Sequence, residues 1–184
     1  MLVTPTAIPA ATGGKALFMP ECYEPPPNMP AIERADSTGW HLPVAQVGNN
    51  AVLSHFGAPR DRGARSHAGI DIAASRGALV HAPLDARVIT SRNSGRGGNT
   101  VVLLDASEKI QFVFTHLDSR AVSAGEHVLS GQQIGAVGTT GNAAGGVPHL
   151  HFEVHDFAGP IDPCPLLDRA PGASVSCPAE LAAR

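Results

Sequence analysis

From Trp40 onward the apolar residues come in short runs, each closed by a turn signal, and this punctuation limits the folds open to the chain. An amphipathic helix needs an apolar stripe recurring every three to four residues over several turns. No window of the sequence sustains that period. Ala51–Phe56 stops at Gly57 and Pro59, Leu79-Val80 stops at Pro83, and Arg87–Thr90 runs into the loop Ser91–Asn99. Thr100–Leu104 and Ile110–Thr115 then flank Asp105–Lys109 as the arms of a hairpin flank its turn. The 20 glycines and 16 prolines supply the tight turns that many short strands require. An all-β, antiparallel domain is expected.

Two segments carry side chains of a particular chemistry at even spacing. In extended chain, positions i, i+2 and i+4 share a face. Read as a strand, His67-Ala-Gly-Ile-Asp71 places His67 with Asp71 and sends Ile70 and Ile72 to the other side. Likewise His149 shares a face with His151, opposite Leu150, Phe152 and Val154. With 9 histidines in 184 residues a single His-x-His is weak evidence of metal binding. The joint pattern is stronger, because both segments look half-buried and a third histidine, His116, ends the apolar run from Ile110. Neutral imidazole and carboxylate are the ligands of catalytic zinc, which takes three from protein and a water in the fourth position. The pattern therefore points to a mononuclear zinc hydrolase.

The strings Ser66–Ala73, Thr115-His-Leu117, Gly138–Gly141 and Pro148–Glu153 resemble, in the same order, the motifs of the LytM/lysostaphin-type zinc endopeptidases. The resemblance runs from about Gly39 to about Leu167. It implies a duplicated hybrid motif fold, a flattened barrel-sandwich with an open groove. It further implies a zinc endopeptidase that hydrolyses peptide cross-links or stem peptides of bacterial peptidoglycan. Matched residue by residue, His67, Asp71 and His151 take the place of the zinc ligands, and His149 and His116 that of the two other active-site histidines. His149, beside the ligand His151, is the closer candidate for the general base, with His116 stabilising the oxyanion or the leaving amine; the two roles are exchangeable at this level. One departure is Phe114, which stands where the family usually has tyrosine. A non-catalytic member that activates another cell-wall hydrolase is the alternative reading. Ala82–Val88 and Gly125–Gln132 are also similar to strands of biotinyl and lipoyl carriers, but neither piece offers a lysine at a hairpin tip.

Composition narrows the partners. Only 16% of residues are charged and the net charge is −3, with no basic stripe, which argues against nucleic acid. No apolar stretch reaches the roughly 18 residues of a transmembrane helix. A monomer is expected, working outside the cytoplasm in the periplasm or as a secreted protein. No export signal is visible, because Met1–Pro20 has no basic start and is broken by Pro5, Pro9 and Gly13-Gly14.

The organisation expected is a Pro-rich arm over residues 1–38, the zinc endopeptidase domain over 39–168, and a tail over 169–184. The arm is one possible inhibitor, with Cys22 or Asn28 as a fourth ligand. Among the 3 cysteines, Cys164 and Cys177 can close a small loop worth about 3 kcal/mol in the chain-entropy model, or Cys22 can pair with either. Of the remaining histidines, His41 and His55 are assigned to the cleft wall. His81 is placed on the barrel surface, His127 in a turn and His155 nearer the rim.

Overall fold

The computed structural model describes residues 41–44 and 52–167. The arm, the tail, Cys22, Asn28 and Cys177 lie outside the described residues. Twelve strands follow one another: β1 (Val52–Ser54), β2 (Pro59–Arg60), β3 (Arg65–Ser66), β4 (Ile70–Ala73), β5 (Leu79–His81), β6 (Ala86–Asn93), β7 (Asn99–Asp105), β8 (Gln111–Arg120), β9 (His127–Val128), β10 (Gln133–Val137), β11 (His149–Asp156) and β12 (Gly159–Ile161). Among the described residues helix is confined to one turn, α1 (Cys164–Leu167), and to three 3-10 turns at Asp61–Gly63, Gly95–Gly97 and Gly141–Ala143. The all-β reading holds, and every ladder among the described residues is antiparallel.

The main sheet runs β1-β4-β11-β8-β7-β6-β9, with β10 joining β5 to β8 and β12 added to β11. β2 and β3 form a separate hairpin. The β7–β8 hairpin falls where the two apolar runs placed it, although β8 continues past Thr115 to Arg120. Its loop is held by one carboxylate. Asp105 accepts hydrogen bonds from the Ser107 hydroxyl and from the backbone N–H groups of Ser107, Lys109 and Ile110. Burial alone would raise the Asp105 pKa, but these bonds hold it below the ordinary carboxylate range.

Alternation along β11 is complete: Leu150, Phe152 and Val154 are fully buried, and His149, His151, Glu153 and His155 lie on the other face. Ile70 and Ile72 of β4 join the same core. Phe152 pairs across the ladder with Phe114, their rings 5.3 Å apart, and stacks on Phe112 at 6.3 Å. Such aromatic contacts add about 0.5–1.5 kcal/mol beyond area burial. Phe114, at the position that departs from the resembled family, is thus a core residue on the side away from the histidines. Cys164 is disulfide-bonded, so it is not a free thiol; its partner lies outside the described residues.

Two histidines away from the groove are placed differently from the sequence reading. His127 lies in β9 rather than in a turn. His41 packs its ring against Gly131 and donates its backbone N–H to the Pro83 carbonyl, and it is not among the residues lining the groove.

Candidate metal centre

Strand pairing brings the two motifs together. β4 and β11 are neighbours in a register that sets His151 opposite Asp71, and on its other side His151 faces Thr115 of β8. His67 reaches the same point by another route than expected. It does not share a strand with Asp71, because the chain leaves β3 at Ser66 and bends at Ala68-Gly69 before β4 starts at Ile70. Gly69 is required there: a Cβ would stand 2.1 Å from the Phe152 carbonyl oxygen. The bend carries the buried His67 ring over the strand onto the face of Asp71.

The result is a triangle of three atoms that could hold a metal ion. His67 Nε2 lies 2.9 Å from His151 Nδ1 and 3.2 Å from Asp71 Oδ1, and His151 Nδ1 lies 2.9 Å from that oxygen. Tetrahedral coordination with zinc bonds of about 2.0–2.1 Å puts ligand atoms about 3.3 Å apart, close to this spacing. The remaining polar atoms are occupied. His67 Nδ1 donates to the His55 carbonyl (2.8 Å), and His151 Nε2 donates to Glu153 Oε1 (2.7 Å). Asp71 Oδ2 accepts from the Arg60 guanidinium at 2.6 Å, and Arg60 also donates to Ser54 Oγ at 2.9 Å. Each side chain is therefore turned so that the one atom without an outer partner faces the other two, as outer partners turn metal ligands. The donor set fits a zinc ion.

Titration behaviour follows from this crowding. Burial would raise the Asp71 pKa, but hydrogen bonds from His151 and His67 outweigh it and hold the carboxyl far below the usual carboxylate range. Burial would lower that of His151, but Asp71 and Glu153 hold it up at about 9. Glu153, whose burial is outweighed by bonds from His151 and His155, is pushed down to about 2.

His149 and His116 complete the cluster. His149 Nδ1 donates to the Val147 carbonyl (2.8 Å), and its Nε2 stands 4.0 Å from Asp71 Oδ1. His116 Nδ1 donates to the Thr140 carbonyl (3.0 Å), and its ring meets that of His149 edge-on at 5.1 Å. Burial sets the His116 pKa below the ordinary histidine range, with the Thr140 carbonyl opposing. Alternation from Phe112 and Phe114 would send His116 into the core. Instead its φ is 62°, and β8 spends one extra residue between the partners of Val101 and Asn99. The bulge turns His116 to the groove and returns Leu117 to the core, a device common beside active sites.

These residues lie in a groove of about 370 Å³ that also takes in Arg96 and Gly97 from one loop and Asn142 and Ala143 from another. At Gly98, with φ 63°, a Cβ would stand 2.5 Å from the Gly141 backbone nitrogen, so the two loops pack backbone to backbone. His55 contributes only its carbonyl. Two partners of the centre were not assigned from the sequence, Arg60 and Glu153. Glu153 was within reach of the period-2 argument, being two residues beyond His151 on the same face. Nothing local marks Arg60, which the β2–β3 hairpin folds back onto Asp71.

Comparison with known proteins agrees with this architecture. The murein hydrolase activator NlpD of Escherichia coli is 30% identical over 124 residues, 67% of this chain and 30% of that protein. The DD-carboxypeptidase/endopeptidase Mpg of Neisseria meningitidis is 35% identical over 99 residues, 54% of this chain and 22% of its own length. The chain thus spans less than a third of these curated relatives. Among solved structures, a zinc-containing peptidase from Vibrio cholerae superposes with a TM-score of 0.60 at 32% identity, covering 68% of this chain and 39% of that one. The catalytic domain of lysostaphin from Staphylococcus simulans does so with 0.55 at 28%, covering 62% and 89%. A family model described as Peptidase family M23 matches residues 65–163, from the β3 strand to just beyond β12, and the chain belongs to that family.

Proposed function

We propose that the chain is a zinc-dependent endopeptidase acting on peptide cross-links or stem peptides of bacterial peptidoglycan, outside the cytoplasm. The observation that carries this reading is the complete triangle of His67, Asp71 and His151 with two further histidines turned toward it. A zinc ion held by the three would polarise a scissile carbonyl and acidify a water molecule. His149 and His116 each spend Nδ1–H on a backbone carbonyl, so each offers a bare Nε2 to the groove. The pair accepts a proton first and donates afterwards. One ring takes the proton of the attacking water; as imidazolium it hydrogen-bonds the developing oxyanion and passes the proton to the departing amine.

A second reading is favoured by one observation, the similarity to a protein named as a murein hydrolase activator. Digestion of defined muropeptides by the zinc-loaded chain, with mass spectrometry of the products, separates the two. New amine and carboxyl termini at one peptide bond are expected. Full zinc occupancy with no cleavage of any wall type would favour the activator.

A further inference from the structure

Among the described residues three carboxylates line the groove, and each already has partners: Asp71 with Arg60 and the ligand histidines, Glu153 with His151 and His155, Asp61 with Arg65 and Arg96. The arginines are not balanced in the same way. Arg60 is committed to Asp71 and Ser54. Arg65 and Arg96 come from different walls, one from the β2–β3 hairpin and one from the 95–97 turn, and converge on a single oxygen. Asp61 Oδ2 accepts Arg65 Nε at 2.6 Å and faces Arg96 at 3.5 Å. Each guanidinium carries five N–H donors. Two cations on one carboxylate oxygen leave a positive charge and most of those donors turned to solvent at the mouth of the groove.

The turn that holds Asp61 is unusual. Asp61 and Arg62 both have left-handed backbones, φ 50° and 59°, followed by Gly63 at 90°. Consecutive non-glycine residues in that region carry a conformational cost and persist where the surroundings enforce them. Here the enforced product is the tie between the two walls. The excess charge is also local, since the whole chain has a net charge of −3.

We propose that Arg65 and Arg96, strapped by Asp61, form a carboxylate-binding subsite at the mouth of the groove. The substrate class is then a peptide bearing a free carboxylate along the segment held there, rather than a neutral glycine bridge. This inference rests on the endopeptidase reading above and narrows it. Guanidinium is suited to the task, because its planar donor pairs match the two oxygens of a carboxylate. Asn142 and Ala143, from the turn packed beside that of Arg96, line the groove without adding a competing anion.

The test uses two versions of one cross-linked stem-peptide dimer, one with free diaminopimelate and glutamate carboxylates and one amidated at those positions. Binding is measured on the zinc-loaded His149→Ala chain, and cleavage on the zinc-loaded unsubstituted chain. The acid dimer should bind about tenfold more tightly than the amide at low salt, and the ratio should shrink as salt is added. Adding Arg65→Gln and Arg96→Gln together should bring the ratio to about one, and Arg96→Glu alone should invert it. Arg96 sits on an exposed turn with a 3.5 Å contact, so that second variant keeps the test open if the double one unfolds. Equal binding of acid and amide, binding of neither, or a ratio that survives both variants would overturn the subsite. Cleavage of both dimers at equal rates with equal binding would remove the subsite and leave the endopeptidase reading intact. An intact binding ratio with no cleavage would do the reverse.

Discussion

His116 and Thr140 are joined in both directions: His116 Nδ1 donates to the Thr140 carbonyl at 3.0 Å, and the Thr140 N–H donates to the His116 carbonyl at 3.4 Å. The threonine is itself fixed by its hydroxyl, which donates to the Leu117 carbonyl (2.8 Å) and accepts from the Asn99 N–H (2.9 Å). A residue that touches no ligand thus holds the bulge that aims His116.

Thr140→Val keeps the volume and removes both hydroxyl bonds. Leaving a part-buried donor and acceptor unpaired costs about 1–3 kcal/mol each. The variant should melt lower, bind zinc as before, and hydrolyse more slowly because His116 loses its fixed aim. Unchanged hydrolysis would show that this tie does not position the ring.

Ligand and non-ligand histidines should separate cleanly. His67→Ala and Asp71→Ala are expected to lose zinc in metal analysis. His149→Ala and His116→Ala should retain it and lose about 10²- to 10⁴-fold in rate. Full zinc occupancy in either of the first two variants would refute the ligand assignment, and near-normal rates in either of the second two would refute that residue's role.

Glu153 orients His151 from outside the triangle, and His155 braces it at 2.6 Å. Loss of such an outer partner lowers metal affinity about 10- to 100-fold. Glu153→Ala should therefore weaken zinc binding in a competition titration with a chelator, with an intact fold by circular dichroism. An unchanged dissociation constant would rule out the orienting role.

Proton linkage gives a test of a different kind. In the metal-free protein His151 is raised from 6.5 to about 9, so it stabilises the fold fully below 6.5 and ceases to as pH rises through about 9. Glu153, lowered from 4.5 to about 2, contributes above 4.5 and ceases to as pH falls through about 2. Zinc must displace the proton on His151, so binding near pH 7 should release about one proton per ion. Calorimetry in buffers of different ionisation enthalpy measures it. The rise in Tm on adding zinc should grow between about pH 6 and about pH 9. A zinc-induced shift that shrank over that interval would contradict the assignment of His151.

Chelation should abolish hydrolysis and leave far-ultraviolet circular dichroism nearly unchanged, with activity restored by added zinc. The reason is the core: Phe112, Phe114, Phe152, Ile70, Ile72 and Leu150 are fully buried without any contribution from a metal. Hydrolysis that outlasted exhaustive chelation would point to a serine or cysteine enzyme.

What the amino-acid sequence determines here is whatever depends on local periodicity. Alternation alone places His149 with His151 and puts Leu150, Phe152 and Val154 behind them, and β11 has that pattern without a break. The same rule yields the β7–β8 hairpin and the absence of long helices among the described residues, because each rests on the conformational preferences of a few adjacent residues. The rule fails where the backbone departs from regular strand. His67 lies off the strand of Asp71 because the chain bends at Gly69 to pass under Phe152. His116 faces the groove because a bulge reverses the parity of β8, and that bulge is held by Thr140, 24 residues away. Arg60 on Asp71 and Arg96 beside Asp61 are likewise products of pairing between distant segments. Periodicity assigns faces within one strand; which strands meet, and where a strand breaks step, is decided by packing of the whole sheet.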